Sequence, residues 1–481
     1  MMYLHRVSEP AHSICLRPVY YWHGLEITQM SDLFGTNGVR GRINQELTVD
    51  VVLRLSRAIG TVLGPGAIAV SRDSREGGEM FLNAVISGLL STGCSVVDIG
   101  PAPTPGLQFI VPRLGVDGGV MVTASHNPPE FSGIKVIGAD GIEISRVKEE
   151  EIEAAYFNEE FTVAEWNQIK SVSTEDDSIR HYVDAIKSQV NADVIEKANL
   201  KVIVDGANSV GSLVTPLLLR ELGCHVVSLN AQLDGNFPGR DPEPIPKNLS
   251  GLSHAVKATN ADLGVAHDGD ADRAAFVDEN GTILWGDQSF AIVANRVLSK
   301  HDGATLVTPV SSGRLIEDIA KEAGAQIEWT RVGSIIVSHR LKDLGAELGG
   351  EENGGIFYPP HQPVRDGAMT AAQVIEIMAT EGKSLSQLVD ELPTYHSSKT
   401  KVPVPEEKKD SILGELLEMT EGMSRITLDG VKLQFEDGWI LMRPSGTEPL
   451  WRCFAESKSL ARAEELSARG VELIRTAIEQ S

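Results

Sequence analysis

Three copies of one strand–helix–strand pattern, followed by a segment of different rhythm, predict an α/β chain. It would have three tandem related α/β domains plus a C-terminal α+β domain. The copies are AIAVSRDSREGGEMFLNAVISGLLSTGCSVVDIG (67–100), LKVIVDGANSVGSLVTPLLLRELGCHVVSLN (200–230) and ATLVTPVSSGRLIEDIAKEAGAQIEWTRVG (304–333). In each, an apolar run of strand length leads through a polar turn into an amphipathic helix. The helix stops near a glycine (Gly93, Gly223, Gly324), where a left-handed cap suits the chain stop. Strands joined through one helix pair in parallel with a right-handed crossover. Length agrees: 481 residues exceed one ordinary core and suit about three domains of roughly 150 residues.

In chain order, residues 1–29 hold three tyrosines and three histidines without an apolar period, so they are expected to be a disordered extension, with Met30 opening the fold. YYWHG at 20–24 packing as a clip on the first domain is the other reading. The first α/β domain is expected over 30–170. Within it, 148–165 carries seven Glu and one Lys and reads as a solvated helix face. KSVSTEDDS at 170–178 reads as a linker. The second domain is expected over 179–275, the third over 276–390 and the fourth over 400–481. PVPEEKKD at 403–410 marks a break, followed by a helix near 410–422, strands near 425–442 and a helix near 459–479. Cys94 and Cys224 sit at the same point of their repeats and read as small core residues.

Composition excludes several function classes. Lys and Arg number 43 against 67 Asp and Glu, a formal charge of −24 that disfavours nonspecific nucleic-acid or anionic-membrane binding. No apolar run approaches the roughly 18 residues of a membrane span, and no apolar segment between Arg6 and Arg17 could serve as a secretory core. Four cysteines in so long a chain exclude a disulfide scaffold and match no zinc spacing. A cytoplasmic, reduced protein is expected.

Five loops between expected elements carry the chemistry. In TASHNPPEFSGIKV (123–136) an apolar strand delivers Ser125 to a turn that Asn127-Pro128-Pro129 keeps rigid. A bare serine is a weak nucleophile and needs a base, a metal or prior phosphorylation; His126 and Lys135 are nearby candidates for proton handling or charge neutralisation. In DGDADR, Asp268, Asp270 and Asp272 alternate with small residues and converge on one side of an extended loop. Unpaired, they would repel and stay partly protonated; a hard cation such as Mg²⁺ resolves this. In RPSGTEPLWR, Ser445 and Thr447 offer hydroxyls, Gly446 close backbone approach, and Arg443 and Arg452 guanidinium forks: a phosphate clamp without a P-loop. In GGEENGG (349–355), Glu351 and Asn353 suit sugar hydroxyls. In FGTNGVRGR (34–42), Arg40 lies on a turn and could face an anion.

Together, in this order and spacing, the five loops resemble the α-D-phosphohexomutase family, over residues from about 32 to 481. The resemblance implies four domains around a central cleft and a mutase interconverting hexose 6-phosphate and hexose 1-phosphate. It implies that Ser125 is the phosphoserine and that Asp268, Asp270 and Asp272 hold one Mg²⁺ together with the Ser125 phosphate. Arg273, Lys135 and Arg40 would balance charge at the transferring group, and Glu351 and Asn353 would orient the sugar. Arg443, Ser445, Gly446, Thr447 and Arg452 would clamp the non-reacting phosphate. A sugar 1,6-bisphosphate would be the intermediate, and a phosphosugar the partner, with no nucleic acid or membrane; the chain would be a monomer or homodimer. Two departures bear on the sugar. Many members have Ser at the place of Asn353 and His at that of Gly355, and some have His or Asp at that of Ser334; His361 or Asp366 could substitute. FGTNGVRG leans towards glucosamine phosphate, with a broad phosphomannomutase/phosphoglucomutase as the alternative. A metal-dependent phosphatase and a noncatalytic sugar-phosphate binder are the rival classes; the latter would not need Ser125 and all three acids.

Overall fold

Residues 33–446 and 448–481 are described by a computed structural model, which builds four sheets in chain order. The first contains β1 (Val39–Arg42), β2 (Ala67–Arg72), β3 (Ser95–Pro101), β4 (Gly118–Val122), β5 (Phe131–Gly138) and β6 (Val172–Thr174), ordered β1-β5-β4-β2-β3-β6. The second, ordered β10-β9-β7-β8, holds β7 (Lys201–Asp205), β8 (His225–Leu229), β9 (Leu263–His267) and β10 (Ala274–Asp278). The third, ordered β12-β11-β13-β14-β15, holds β11 (Thr305–Pro309), β12 (Gln326–Thr330), β13 (Leu348–Gly350), β14 (Ile356–Tyr358) and β15 (Gln362–Arg365).

The three sheets repeat one plan. In each, the two strands of the sequence repeat pair in parallel (β2 with β3, β7 with β8, β11 with β12) around a helix: Gly78–Ser91, Gly211–Glu221 and Arg314–Glu322. Those helices stop just before Gly93, Gly223 and Gly324, all at positive φ. The plan extends beyond the sequence repeat. A third strand pairs in parallel with the first and then turns back in an antiparallel hairpin: β4–β5, β9–β10 and β13–β14.

The fourth sheet is wholly antiparallel. It is ordered β16-β20-β19-β18-β17 from β16 (His396–Pro403), β17 (Arg425–Ile426), β18 (Val431–Phe435), β19 (Gly438–Pro444) and β20 (Leu450–Ser457). It is covered by the helices Lys409–Met419 and Leu460–Gln480, which bury Ile412, Leu416, Leu466 and Ile474 against Ile440 and Trp451.

Several expected boundaries shift. Residues 276–278, expected to open the third domain, lie in β10, which pairs with β9 along its whole length. The expected linker 170–178 contains β6, paired in parallel with β3. The break at 403–410 falls inside the last unit, because β16 pairs with β20 through all eight residues. The acidic helix Arg146–Asn158 is solvated only in part: Glu149 and Glu153 are buried, and Glu153 Oε1 accepts from the Phe34 amide at 2.8 Å. The expectation for residues 1–29 lies outside the described residues.

The second and third units share one apolar core, in which Val214, Leu218 and Phe276 meet Phe290, Met369 and Ile375. Among the described residues, the fourth meets the third through a small apolar cluster, Val310 with Trp439 and Leu441, against which Trp329, Ile426 and Phe454 pack.

Candidate active site

The site is built from turns. The loop after β4 carries Ser125, the turn between β9 and β10 carries the three aspartates, and the turn between β13 and β14 carries Glu351 and Asn353. These are equivalent places in the three units. The β19–β20 turn carries the arginine loop, and the segment before β1 carries the FGTNG turn.

Ser125 lies at φ 49, a strained backbone for a side-chain-bearing residue. It is held there from several sides. Its amide donates to Thr123 Oγ1 at 2.9 Å, and that hydroxyl donates to Asp73 Oδ2 at 2.6 Å. Asp73 pairs with Arg75 at 3.1 Å with both side chains buried. The Arg75 guanidinium donates to the carbonyls of Ser125, Asn127, Pro128 and Phe131 at 2.6 to 2.8 Å. One buried arginine therefore fixes the whole serine loop. Asp73 and Arg75 belong to the polar turn of the first repeat, SRDSR, where a charged pair between strand and helix was the available signal.

The aspartate turn docks on that loop. Ser125 Oγ donates to Asp268 Oδ2 at 2.8 Å. Only glycine fits at 269, because a Cβ there would lie 2.4 Å from the Ser125 carbonyl oxygen. Asp268, Asp270 and Asp272 are buried and each brings an oxygen within 4.8 Å of the others. Burial and the two neighbouring aspartates push the Asp268 carboxyl well above its ordinary pKa. For Asp270 burial acts the same way, but Lys135 and the Thr104 hydroxyl outweigh it and hold the carboxyl well below the usual range. Lys135 Nζ lies 2.9 Å from Asp270 Oδ2 and 3.5 Å from Asp272 Oδ2, and Thr104 Oγ1 donates to Asp270 Oδ2 at 2.7 Å. Burial opposes charge on Lys135 too, yet Asp270, Glu143 and Asp272 more than offset it. Among the described residues, Asp270 Oδ1 and Asp272 Oδ1 remain buried without a hydrogen-bond partner. Orphaned carboxylate oxygens beside a third acid suit a hard divalent cation, and the oxygen donor set suits Mg²⁺.

Cations surround the serine. Arg40 Nη1 donates to Asn127 Oδ1 at 2.7 Å and to the Ala124 carbonyl at 3.2 Å. Arg273 donates its amide to Asp268 Oδ1 at 3.2 Å and Nη2 to His126 Nδ1 at 3.2 Å. His126 Nδ1 also lies 3.3 Å from Ser125 Oγ. Burial, then Arg273 and Arg40, bring the His126 pKa down to about 2, so the imidazole is neutral and a poor base.

In the third unit, Asn353 turns inward on its own loop: its Oδ1 accepts from the Gly355 amide at 3.0 Å and its Nδ2 faces Glu351 Oε2 at 3.4 Å. Glu351 is tied to Arg365 Nη1 at 3.1 Å, and Arg365 Nη2 also holds Asp272. Arg365 fills the space beside Gly355; neither His361 nor Asp366 does so. Those two lie together, 3.3 Å apart, in a buried group with Tyr182 and Gln362, His361 stacked on Phe109. Ser334 lines a cavity of about 10 Å³ with Glu143, Asp272 and Arg365.

In the fourth unit, Arg443 and Arg452 stand directly opposite each other on β19 and β20. Facing like charges are unfavourable unless an anion sits between them or acids answer each. Here Asp429 takes Arg443 at 2.9 Å and Glu448 takes Arg452 at 2.9 Å. Among the described residues Arg452 Nε is buried without a partner, and Arg452 Nη2 reaches Ser445 Oγ at 3.4 Å. A Cβ on Gly446 would come within 3.3 Å of Thr36 Oγ1, so this turn closes on the FGTNG turn of the first unit. Thr447 lies outside the described residues.

The match to known proteins runs through all four units. The descriptions "Phosphoglucomutase/phosphomannomutase, alpha/beta/alpha domain" I, II and III match residues 31–163, 180–281 and 285–395, and that of the C-terminal domain matches 400–473. A phosphoglucomutase/phosphomannomutase of Thermococcus kodakarensis is 47% identical over 93% of this chain and 100% of its own. A phosphoglucosamine/phosphogalactosamine mutase of Sulfurisphaera tokodaii is 48% identical over 89% and 96%. The crystal structure of a phosphoglucomutase/phosphomannomutase family protein from Burkholderia thailandensis superposes with a TM-score of 0.83 at 29% identity, covering 92% of this chain and 98% of that one. With all four domains matched in order, the chain belongs to the phosphoglucomutase/phosphomannomutase family, the α-D-phosphohexomutases, and is a phosphohexose mutase.

Proposed function

We propose that the chain interconverts glucosamine 6-phosphate and glucosamine 1-phosphate through a phosphorylated Ser125 and a sugar 1,6-bisphosphate. The observation that carries the phosphoserine chemistry of this reading is the 2.8 Å contact of the Ser125 hydroxyl with an aspartate of a buried acid triple. In the first half-reaction the bond from phosphorus to Ser125 Oγ breaks and a bond to the free sugar hydroxyl forms. The hydroxyl gives up its proton, and the serine oxygen takes one back. The second half-reaction reverses this at the other end of the sugar. Asp268, Asp270 and Asp272 would hold one Mg²⁺, which supplies neutralisation of the phosphoryl oxygens when bound.

The remaining work falls to side chains. Lys135, whose acid neighbours favour its charged form, and Arg273 face the transferring group, since two phosphates approaching each other bring about −3 to −4 of charge into one cleft. Arg40 orders the serine loop through Asn127. His126, accepting from Arg273 at Nδ1, carries its proton on Nε2 and acts as a neutral donor to a phosphate oxygen. Glu351 reads sugar hydroxyls, with Asn353 shaping the turn. Arg443, Ser445, Gly446, Thr447 and Arg452 take the phosphate that is not reacting. Among the described residues no helix is long and apolar enough to cross a membrane.

The test compares kcat/KM for glucosamine 1-phosphate, mannose 1-phosphate and glucose 1-phosphate on one preparation with Mg²⁺ and a bisphosphate primer. A preference of tenfold or so for the amino sugar (~1.4 kcal/mol in transition-state terms) supports the reading. Equal or better rates with the neutral sugars replace it with the broad mutase that the 47%-identical relative is named for.

A further inference from the structure

Between the acid triple and the sugar turn stands a buried arginine that neither motif contains. Arg365 ends β15, is 6% exposed and reaches two functional carboxylates with one guanidinium: Nη2 to Asp272 Oδ2 and Nη1 to Glu351 Oε2 at 3.1 Å. With the Asn37 amide turned to present its oxygen, Nη2 also meets Asn37 Oδ1 at 3.1 Å, while the Asn37 nitrogen donates to Glu143. Three units of the chain thus meet at one planar group.

The sequence around it is fitted to this side chain. A Cβ on Gly355 would lie 2.4 Å from Arg365 Cδ and 3.1 Å from Cγ, although the φ of Gly355 is outside the left-handed region. Glycine is required at 355 by the arginine stem and not by the backbone. Glu351 Oε2 also faces the Asn353 amide, whereas Oε1 has no partner among the described residues and can accept from a ligand.

Resting on the reading of the 349–355 turn as the sugar loop, we infer that Arg365 is a positioning residue that sets Glu351 against the cation site and moderates the choice between amino and neutral sugars. A guanidinium holds two carboxylates at a fixed separation through parallel N–H groups, which a lysine ammonium cannot do. Because Glu351 is already charge-paired, it accepts hydroxyl hydrogen bonds well but attracts a sugar ammonium less than a lone carboxylate would. Removing the arginine therefore shifts selectivity towards the amino sugar, whatever the starting preference.

Four variants of the full chain test this: R365Q, R365K, G355A and E351Q. Each is measured for melting temperature, for Mn²⁺ binding to the dephosphorylated protein by calorimetry, and for kcat and KM with glucosamine 1-phosphate and glucose 1-phosphate. R365Q and G355A are expected to raise KM for glucose 1-phosphate about tenfold, with a smaller change in kcat, the loss of one charge-assisted contact. R365K recovers only part of that loss. R365Q raises the amino-to-neutral ratio of kcat/KM by about fivefold, roughly 1 kcal/mol, and shifts Mn²⁺ affinity, whereas E351Q leaves Mn²⁺ affinity as it was. G355A, which displaces the arginine while keeping its charge, carries the test should R365Q not fold. Wild-type KM and selectivity in R365Q or G355A, beside a raised KM in E351Q, overturn the inference and leave the sugar-loop reading standing. An unchanged KM in E351Q overturns that reading itself.

Discussion

Ser125 and Asp270 do different work although both are buried within one turn of the chemistry. Ser125 contributes one hydroxyl, bonded to Asp268, on a backbone fixed by other groups. Ser125→Ala is therefore expected to remove at least about a thousandfold of mutase turnover, the scale at which nucleophile deletions act, and to change stability by only about 1 kcal/mol. Initial rates and a thermal melt on the same protein check both; near-wild-type turnover would remove Ser125 from the phosphoryl path. Asp270 has a second duty, since its Oδ2 accepts from Lys135 and from Thr104 while Oδ1 is buried without a partner among the described residues. Asp270→Asn keeps the shape and the Thr104 contact but loses charge on both sides. Its expected signature is Mg²⁺ affinity weakened about tenfold or more together with lower turnover, read from a Mg²⁺ titration of rate. A titration superimposable on wild type would take Asp270 out of the cation site.

At the scale of elements, the serine, aspartate and sugar loops are the same hairpin in three related units, so convergence on one cleft follows from repetition of the plan. The sequence repeat displayed its parallel half, because the apolar runs, helices and glycine stops are local signals. The hairpin half was less legible: β14 and β15 are three and four residues long. β16, HSSKTKVP, has no apolar alternation of its own and takes its pairing from β20. The same limit applies to the site. Residues gathered in one motif were found, whereas Thr104, Arg75 and Arg365 act on partners 166, 50 and 93 residues away, which no local pattern displays. Arg75 gives the sharpest check on this view. Arg75→Met would leave Asp73 buried without its cation and take a donor from four loop carbonyls, of which Pro128 keeps the Phe131 amide, and this is expected to cost about 3–5 kcal/mol of stability. Denaturant unfolding measures the loss, and a loss under 1 kcal/mol would show that the serine loop is fixed by something other than Arg75.

For the whole molecule, the contrast between two seams matters most. The second and third units share one apolar core, whereas the fourth meets the third through a largely polar seam. There Arg314 donates to the carbonyls of Phe435, Glu436 and Gly438, and Glu456 accepts from the Arg314 amide at 2.7 Å and from Trp439 Nε1 at 2.9 Å. At its centre Lys432 of β18 lies between Trp329 of the third unit and Trp439 of the fourth, 4.6 and 4.5 Å from the ring centres, and donates to the Ser312 carbonyl at 3.0 Å. Burial is the main influence on this ammonium and brings its pKa from the ordinary 10.5 down to about 8, against the pull of Glu317, Glu456 and Glu352 and with a small push from Arg314. The sign follows from proton counting. Below about pH 8 the folded and unfolded chains both hold the proton, and the cost of burying the charge is fully present. Between about 8 and 10.5 the folded chain releases it while the unfolded chain keeps it, so this group's contribution to stability rises with pH. Lys432→Met, of similar length and uncharged, has no such dependence. The stability difference between Lys432→Met and wild type should therefore shift in favour of wild type by roughly 2 kcal/mol from about pH 7 to pH 9.5. Paired denaturant titrations across that range read the shift directly, the variant cancelling the titration of every other group. A gap that stays constant with pH would mean that Lys432 keeps its proton in the folded chain, with the two indole faces and Glu317 holding the seam as a charged clasp.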